Sequence, residues 1–297
     1  MDVSVFLNFL VNNLLFSFTI VLVSFVLGWI LYNKIVTRGI CLRDSLFEKD
    51  NLAAWVEFIG AFIYPTLYLA AKAIEGSASE NLWLDLLICT AYTVGYIVVF
   101  TVLRLLSSLI VRLIGAEDEN GKVHLNKEIY EQKNISAALF SVALSTIFAN
   151  IVRFADVDPE FLMVTALRVS TVIILTLAAL IIYIMILGRR TTLFKEVFID
   201  NNIAAGAAFL GFVFAVETIL SNSVALHLGF NFLELVGVSF ISLAIFGALS
   251  AIFKVIFTKL IKVDIWNEVY EQNNIGAALG QIALYVGIAN VIVHFMK

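Results

Sequence analysis

The chain has 297 residues, of which 61% are hydrophobic and only 14% charged, and its formal net charge is −4. With a mean hydropathy of +0.99, this composition excludes a water-soluble domain, because one core cannot hide so much apolar surface and lipid must be part of the solvent. It also excludes a nucleic-acid-binding protein, which needs a basic stripe or patch.

Val3 to Asn33 runs for 31 residues without a charge, well beyond the ~20 that a helix needs to cross a bilayer. Met1-Asp2-Val3-Ser4 lacks the basic segment of a cleavable signal peptide, so this first span is expected to be permanent. In chain order the apolar runs predict transmembrane helices at Phe6 to Tyr32, Leu52 to Ala71, Leu82 to Ile114, Ile135 to Val152, Phe161 to Leu187, Ile203 to Leu220, Phe232 to Leu260 and Ile275 to Phe295. The expected fold class is thus an all-α membrane protein with eight transmembrane helices. Odd spans are long, whereas even spans are short and rich in alanine and glycine, so the two sets should play different roles. Pro65 predicts a kink in span 2.

Lysines and arginines divide unevenly. Fourteen follow odd spans, in the stretches Lys34 to Lys49, Arg112 to Lys133, Arg189 to Lys195 and Lys254 to Lys262; three, Lys72, Arg153 and Lys297, lie on the other side. The positive-inside rule then puts the loops after odd spans in the cytoplasm and both termini outside. Trp29, Trp83 and Trp266 sit near span ends, as an aromatic belt requires.

A repeat runs through the chain. Tyr130 to Asn150 and Tyr270 to Asn290 are identical at 12 of 21 aligned positions, opening on Tyr-Glu-Gln-x-Asn-Ile-x-Ala-Ala-Leu. Looser copies begin at Phe47 and Phe198, and the shared core is Asn-[Ile/Leu]-x-Ala. Aligned on Asn51, Asn134, Asn202 and Asn274, the steps are 83, 68 and 72 residues, each an odd plus an even span. This predicts (2+2)+(2+2) helices in two halves, 1–155 and 156–297. An even number of spans per repeat gives every copy the same orientation, which argues against inverted-repeat transporters.

On these residues the chain resembles the YjfL-like bacterial membrane family, a domain of unknown function whose members carry the unit once or twice. The resemblance spans nearly the whole chain. The first copy departs most, with Trp55 and Glu57 where small or apolar residues are expected. The resemblance implies a multi-pass protein of the bacterial cytoplasmic (inner) membrane, with an association to envelope-stress or maintenance systems, and it supplies no catalytic residues.

The candidate site residues fall into three groups. Asn51, Asn134, Asn202 and Asn274 sit where N-caps belong; alternatively, four positive helix ends converge on a polar vestibule lined by Glu48, Glu131, Asp200 and Glu271. Within spans, ionisable side chains are costly and mark sites by default. Glu57 lies ~9 Å and Arg104 ~12 Å above the basic side at 1.5 Å per residue, which predicts a pair between spans 2 and 3. Arg168 with Glu217 is a second candidate pair; Asn150 and Asn290 occupy equivalent outer positions in spans 4 and 8, and Gln281 is expected to be buried in span 8. Gly276 with Gly280, and Ala207 with Gly211, have the spacing of close helix packing.

Enzyme motifs are absent: His124, His227 and His294 are scattered, Cys41 and Cys89 share no metal or disulfide spacing, and the loops are short. No cofactor and no catalytic activity are expected. Two functions remain: a membrane scaffold or sensor that engages lipids, further copies of itself or envelope-stress proteins on the cytoplasmic side, and a small-ion channel or transporter.

Overall fold

The computed structural model describes residues 3–73, 81–114, 117–118, 121–155, 162–187, 192–226 and 232–296. The expectations placed on Phe161, Arg189, Arg190, His227 and Lys297 lie outside the described residues.

Eight helices are long and apolar enough to cross a membrane: Asn13–Val36, Leu52–Lys72, Leu82–Ile114, Ile135–Phe154, Leu162–Leu187, Ile203–Ala225, Leu233–Ile261 and Ile275–Met296, here spans 1 to 8. Span 6 runs past its predicted end at Leu220 because its polar tail bonds inside the helix. Asn222 Nδ2 donates to the Thr218 carbonyl (2.8 Å) and the Ser223 hydroxyl to that of Ile219 (2.8 Å). Pro65 does not break span 2. The turns before it widen over Val56–Ile63, so the ring is accommodated by extra backbone per turn, as at π-bulges.

Even spans form an inner row in the order 2, 4, 6, 8, and odd spans pack along it. Burial follows: 56%, 61% and 72% of the apolar windows of spans 2, 4 and 6 are enclosed, against 17–33% for the odd spans. Small residues let the inner helices approach closely. A Cβ on Gly211 would stand 3.0 Å from Ile282 Cα, and one on Gly206 would stand 3.0 Å from Ser136 Cα. Span 8 ends the row, and only 33% of its window is buried.

One local design opens each inner helix. A collar of wide turns (Asp44–Glu48, Lys127–Glu131, Lys195–Ile199, Asn267–Glu271) is followed by a left-handed residue: Asp50, Lys133, Asn201 or Asn273, with φ from 46° to 57°. The chain turns back there, and the cap N–H bonds to the carbonyl six residues earlier in every repeat, Ser45, Glu128, Glu196 and Glu268. Three of the four turning residues are Asn or Asp, the residues that tolerate this conformation best.

Each asparagine then caps its helix: Oδ1 accepts from the N–H of Ala54 (3.2 Å), Ala137 (2.9 Å), Ala205 (2.9 Å) and Ala277 (3.2 Å). The amide end reaches into the following repeat. Asn51 Nδ2 donates to the Ile129 carbonyl (2.8 Å), Asn134 to that of Val197 (2.9 Å), and Asn202 to those of Val269 and Tyr270 (both 3.1 Å). Asn274, at the open end, is exposed. Asn202→Ala is therefore expected to lower the thermal unfolding midpoint in detergent more than Asn274→Ala. Both lose a cap worth ~1 kcal/mol, but only the first strands buried carbonyls at ~1–3 kcal/mol. Equal shifts would show that the amide links do not hold the repeats together.

Candidate functional site

Two buried polar clusters lie inside the bundle. The first joins spans 1, 2 and 3. Glu57 and Arg104 form an ion pair at 0% and 1% side-chain exposure, with Arg104 Nε donating to Glu57 Oε1. The same oxygen accepts from the Tyr32 hydroxyl (3.2 Å). Tyr32 and Tyr130 share a hydrogen bond of 2.7 Å; with Tyr32 donating to Glu57, Tyr130 is the donor. Burial, with the Glu57 carboxylate adding to it, pushes the Tyr130 hydroxyl up, so it stays a neutral donor. The guanidinium also donates to Ser108 Oγ (2.6 Å) and Asn126 Oδ1 (2.9 Å), and Asn126 Nδ2 donates to the Val36 carbonyl (2.7 Å). A buried charge survives when it is paired and multiply hydrogen-bonded. Glu57 Oε2 alone in this cluster is buried without a hydrogen bond.

The second cluster sits nearer the opposite end, between spans 4, 5 and 6. Glu217 accepts from Asn150 Nδ2 (2.5 Å) and from the Thr176 hydroxyl (2.7 Å), and the Asn150 amide also reaches the Glu217 backbone carbonyl (3.3 Å). Arg153 donates to Tyr68 Oη (3.0 Å) and to the Ser221 hydroxyl. Glu217, Asn150, Arg153, Tyr68 and Ser221 line a crevice of about 220 Å³. Among the described residues no ion pair joins Arg168 to Glu217, and Arg168 Nε is buried without a hydrogen bond. The pair was expected from depth alone, whereas Glu217 is satisfied by neutral donors, Asn150 on span 4 and Thr176 on span 5.

The vestibule arrangement is not what the helix starts form. Asn51, Asn134 and Asn202 are buried and spent on backbone groups, while Glu48, Glu131, Asp200 and Glu271 are exposed. The carboxylates that meet the caps were missed: Asn134, Asn202 and Asn274 donate to Glu128 (3.1 Å), Glu196 (2.8 Å) and Glu268 (2.8 Å). The signal was a glutamate six residues before the cap in three of four repeats, with Ser45 in the first. Gly211 and Ala207 are buried in the bundle, but Gly276, Gly280 and Asn290 are exposed. Gln281 is buried and donates to Tyr285 Oη (2.6 Å). Trp83 lies at the surface, and Trp266 is buried against Tyr183 and Tyr270.

The two halves differ beside the tyrosine pair. Tyr183 and Tyr270 repeat the hydrogen-bonded pair of Tyr32 and Tyr130, but Ala208 stands where Glu57 does in the register of the caps, and span 7 has no arginine. Beside Tyr183 is a cavity of about 500 Å³.

These features define an eight-span membrane protein made of two tandem four-span domains, each a pair of two-span repeats. Residues 4–155 and 159–296 each match the family described as Domain of Unknown Function (DUF350), and the chain belongs to that family. No curated protein and no solved structure matches it.

Truncating Glu57→Leu or Arg104→Met alone strands a buried charge, at an expected ~3–5 kcal/mol. The double variant should recover most of that loss, read as the thermal midpoint and the yield of monodisperse protein. Harmless single variants would mean that the pair carries no load.

Proposed function

We propose that this protein is a membrane scaffold that assembles as a parallel dimer through span 8, in the inner membrane with the collar ends in the cytoplasm. The observation that carries the reading is an inter-repeat contact made three times within the chain and left open at its fourth occurrence. In repeat 2 the positions two, nine and sixteen residues past the cap are Ser136, Ala143 and Asn150. All three are buried, Ser136 donates to the Asn202 carbonyl (2.7 Å), and Asn150 donates to Glu217. In repeat 4 they are Gly276, Ala283 and Asn290, all exposed, with Gly280 and Gly287 on the same side. Steps of four and three residues put them in one stripe, the pattern of parallel helix pairs with small residues or a single asparagine at the seam.

The opposite end of the row is closed, which favours pairing like with like over a growing chain. Trp55 occupies the position of Ala138, Gly206 and Ala278, the small residues of the other copies. Its indole N–H donates to the Leu46 carbonyl (3.2 Å). In the other repeats the equivalent carbonyl, on Ile129, Val197 or Val269, receives the amide of the preceding asparagine. Repeat 1 thus caps its own acceptor, as terminal repeats do.

Conduction is the weaker reading. Glu57 and Glu217 lie nine cap-register positions apart, ~14 Å of helix rise. Phe62, Ala143 and Val213, all buried, occupy the levels between them.

With Cys41 and Cys89 replaced, Ala283→Cys or Gly287→Cys in native membranes is expected to give disulfide-linked dimers, while Ile181→Cys, on the lipid side of span 5, gives none. Cross-links from Ala283→Cys to Ile59→Cys instead would show head-to-tail growth, and none at either cysteine would show a monomer; each overturns the proposal. Proteoliposomes should show no flux of protons, cations or anions, and flux lost in Glu57→Gln, Glu217→Gln would establish the channel reading in its place.

A further inference from the structure

The cavity in the second half lies between spans 5, 7 and 8. Its opening toward the bilayer is set by Ala178 on span 5 and by Ala244, Gly247 and Ala251 on span 7, small residues that are all exposed. At positions 244, 247 and 251 they share one face of span 7. A Cβ on Gly247 would meet nothing within 4 Å. Toward the collar end the cavity is bounded by Trp266, with the Lys254 ammonium 4.5 Å from its ring centre. Its volume, about 500 Å³, is in the range of sites that hold a small molecule.

Its walls are apolar save for Lys254 at the collar end and a polar spot deeper in the bundle. Gln281 is only 2% exposed and bonds to Tyr285 through Nε2, which leaves Oε1 buried with no partner. Ser250 Oγ, in the same lining, is also buried and unpartnered. A buried amide oxygen without a donor costs ~1–3 kcal/mol, so two idle groups in the lining of one largely apolar cavity leave hydrogen bonds for a ligand to make. Gln281 lies seven residues past Asn274, ~10 Å along the helix. At that depth a charged head group is penalised. A hydroxyl suits both groups, since it donates to the amide oxygen and accepts from the serine hydroxyl.

We propose that this cavity binds an uncharged lipid whose hydrocarbon chains end in a free hydroxyl, the chemistry of diacylglycerols and long-chain alcohols. The chain enters sideways between spans 5 and 7, and the hydroxyl seats on Gln281 and Ser250. In the first half Glu57 and Arg104 occupy the corresponding space beside Tyr32. Gln281 is buried while the span 8 stripe is exposed, so the site stands whether or not the protein dimerises.

Native mass spectrometry of the full chain from detergent tests this, with dioleoylglycerol as probe and the same lipid acetylated on its hydroxyl as control. The free alcohol is expected to be retained about tenfold better, the worth of one hydrogen bond. Gln281→Leu should remove the preference while leaving retention of the acetylated lipid as it was, and Ala244→Phe should remove binding of both lipids. Gly247→Phe fills the same space if Ala244→Phe does not fold. Equal retention of the two lipids by the unmodified protein, or retention undiminished in the cavity-filling variants, would overturn the proposal.

Discussion

A helix that begins inside a membrane protein leaves its first N–H groups without partners, and a collar that ends there leaves carbonyls in the same state. One asparagine per repeat answers both needs. Its oxygen caps its own helix, and its amide takes the carbonyls of the next collar, as Asn202 does for Ala205 on one side and Val269 and Tyr270 on the other. The left-handed residue before it aims the amide, and the glutamate six residues earlier holds it. The amide bond cannot be kept if adjacent repeats slide or rotate, so the register of the inner row follows from it. Gly60 against Val142 and Gly211 against Ile282 are the same contact at the same two positions of successive repeats.

On this frame the halves have diverged in one region while keeping the tyrosine pair that marks it. In the first half a carboxylate and a guanidinium occupy the space, and the pair is held by Tyr32, Ser108 and Asn126, with Tyr130 bonded to Tyr32. In the second, alanine and glycine leave the space open toward the bilayer. Since removing one member of a buried ion pair costs more than removing both, the loss of the carboxylate at position 208 and the lack of an arginine in span 7 belong together. The frame accommodates either solution because the asparagine links that set its register are made in both halves.

The eight spans, the fourfold repeat and the Glu57–Arg104 pair were legible in the sequence, each for a physical reason. Apolar run length is fixed by bilayer thickness, the repeat is carried by identities such as Tyr-Glu-Gln-x-Asn, and two charges at one depth in adjacent spans have few partners to choose from. The Arg168–Glu217 pairing failed on the same logic, because depth along a helix says nothing of rotation about it, and Glu217 faces Asn150. The vestibule idea failed because the acids nearest the caps in sequence point outward, whereas those six residues away fold back onto them. The span 5 to span 7 cavity was invisible, since small residues on lipid-facing helices read alike whether a neighbour fills the space or not.

Trp55 shows how the ends of such a row come to differ. A row of identical units exposes a donor face at one end and an acceptor carbonyl at the other, and both cannot be left bare in hydrocarbon. The first repeat solves its end within the chain: a residue too large for close packing covers the face, and its indole N–H satisfies the Leu46 carbonyl. The fourth repeat keeps Gly276, Gly280, Ala283, Gly287 and Asn290, which cover nothing and leave an amide toward lipid. Trp55 closes one end of the row while span 8 keeps small, exposed residues at the other, and on that asymmetry the proposed pairing of like with like rests.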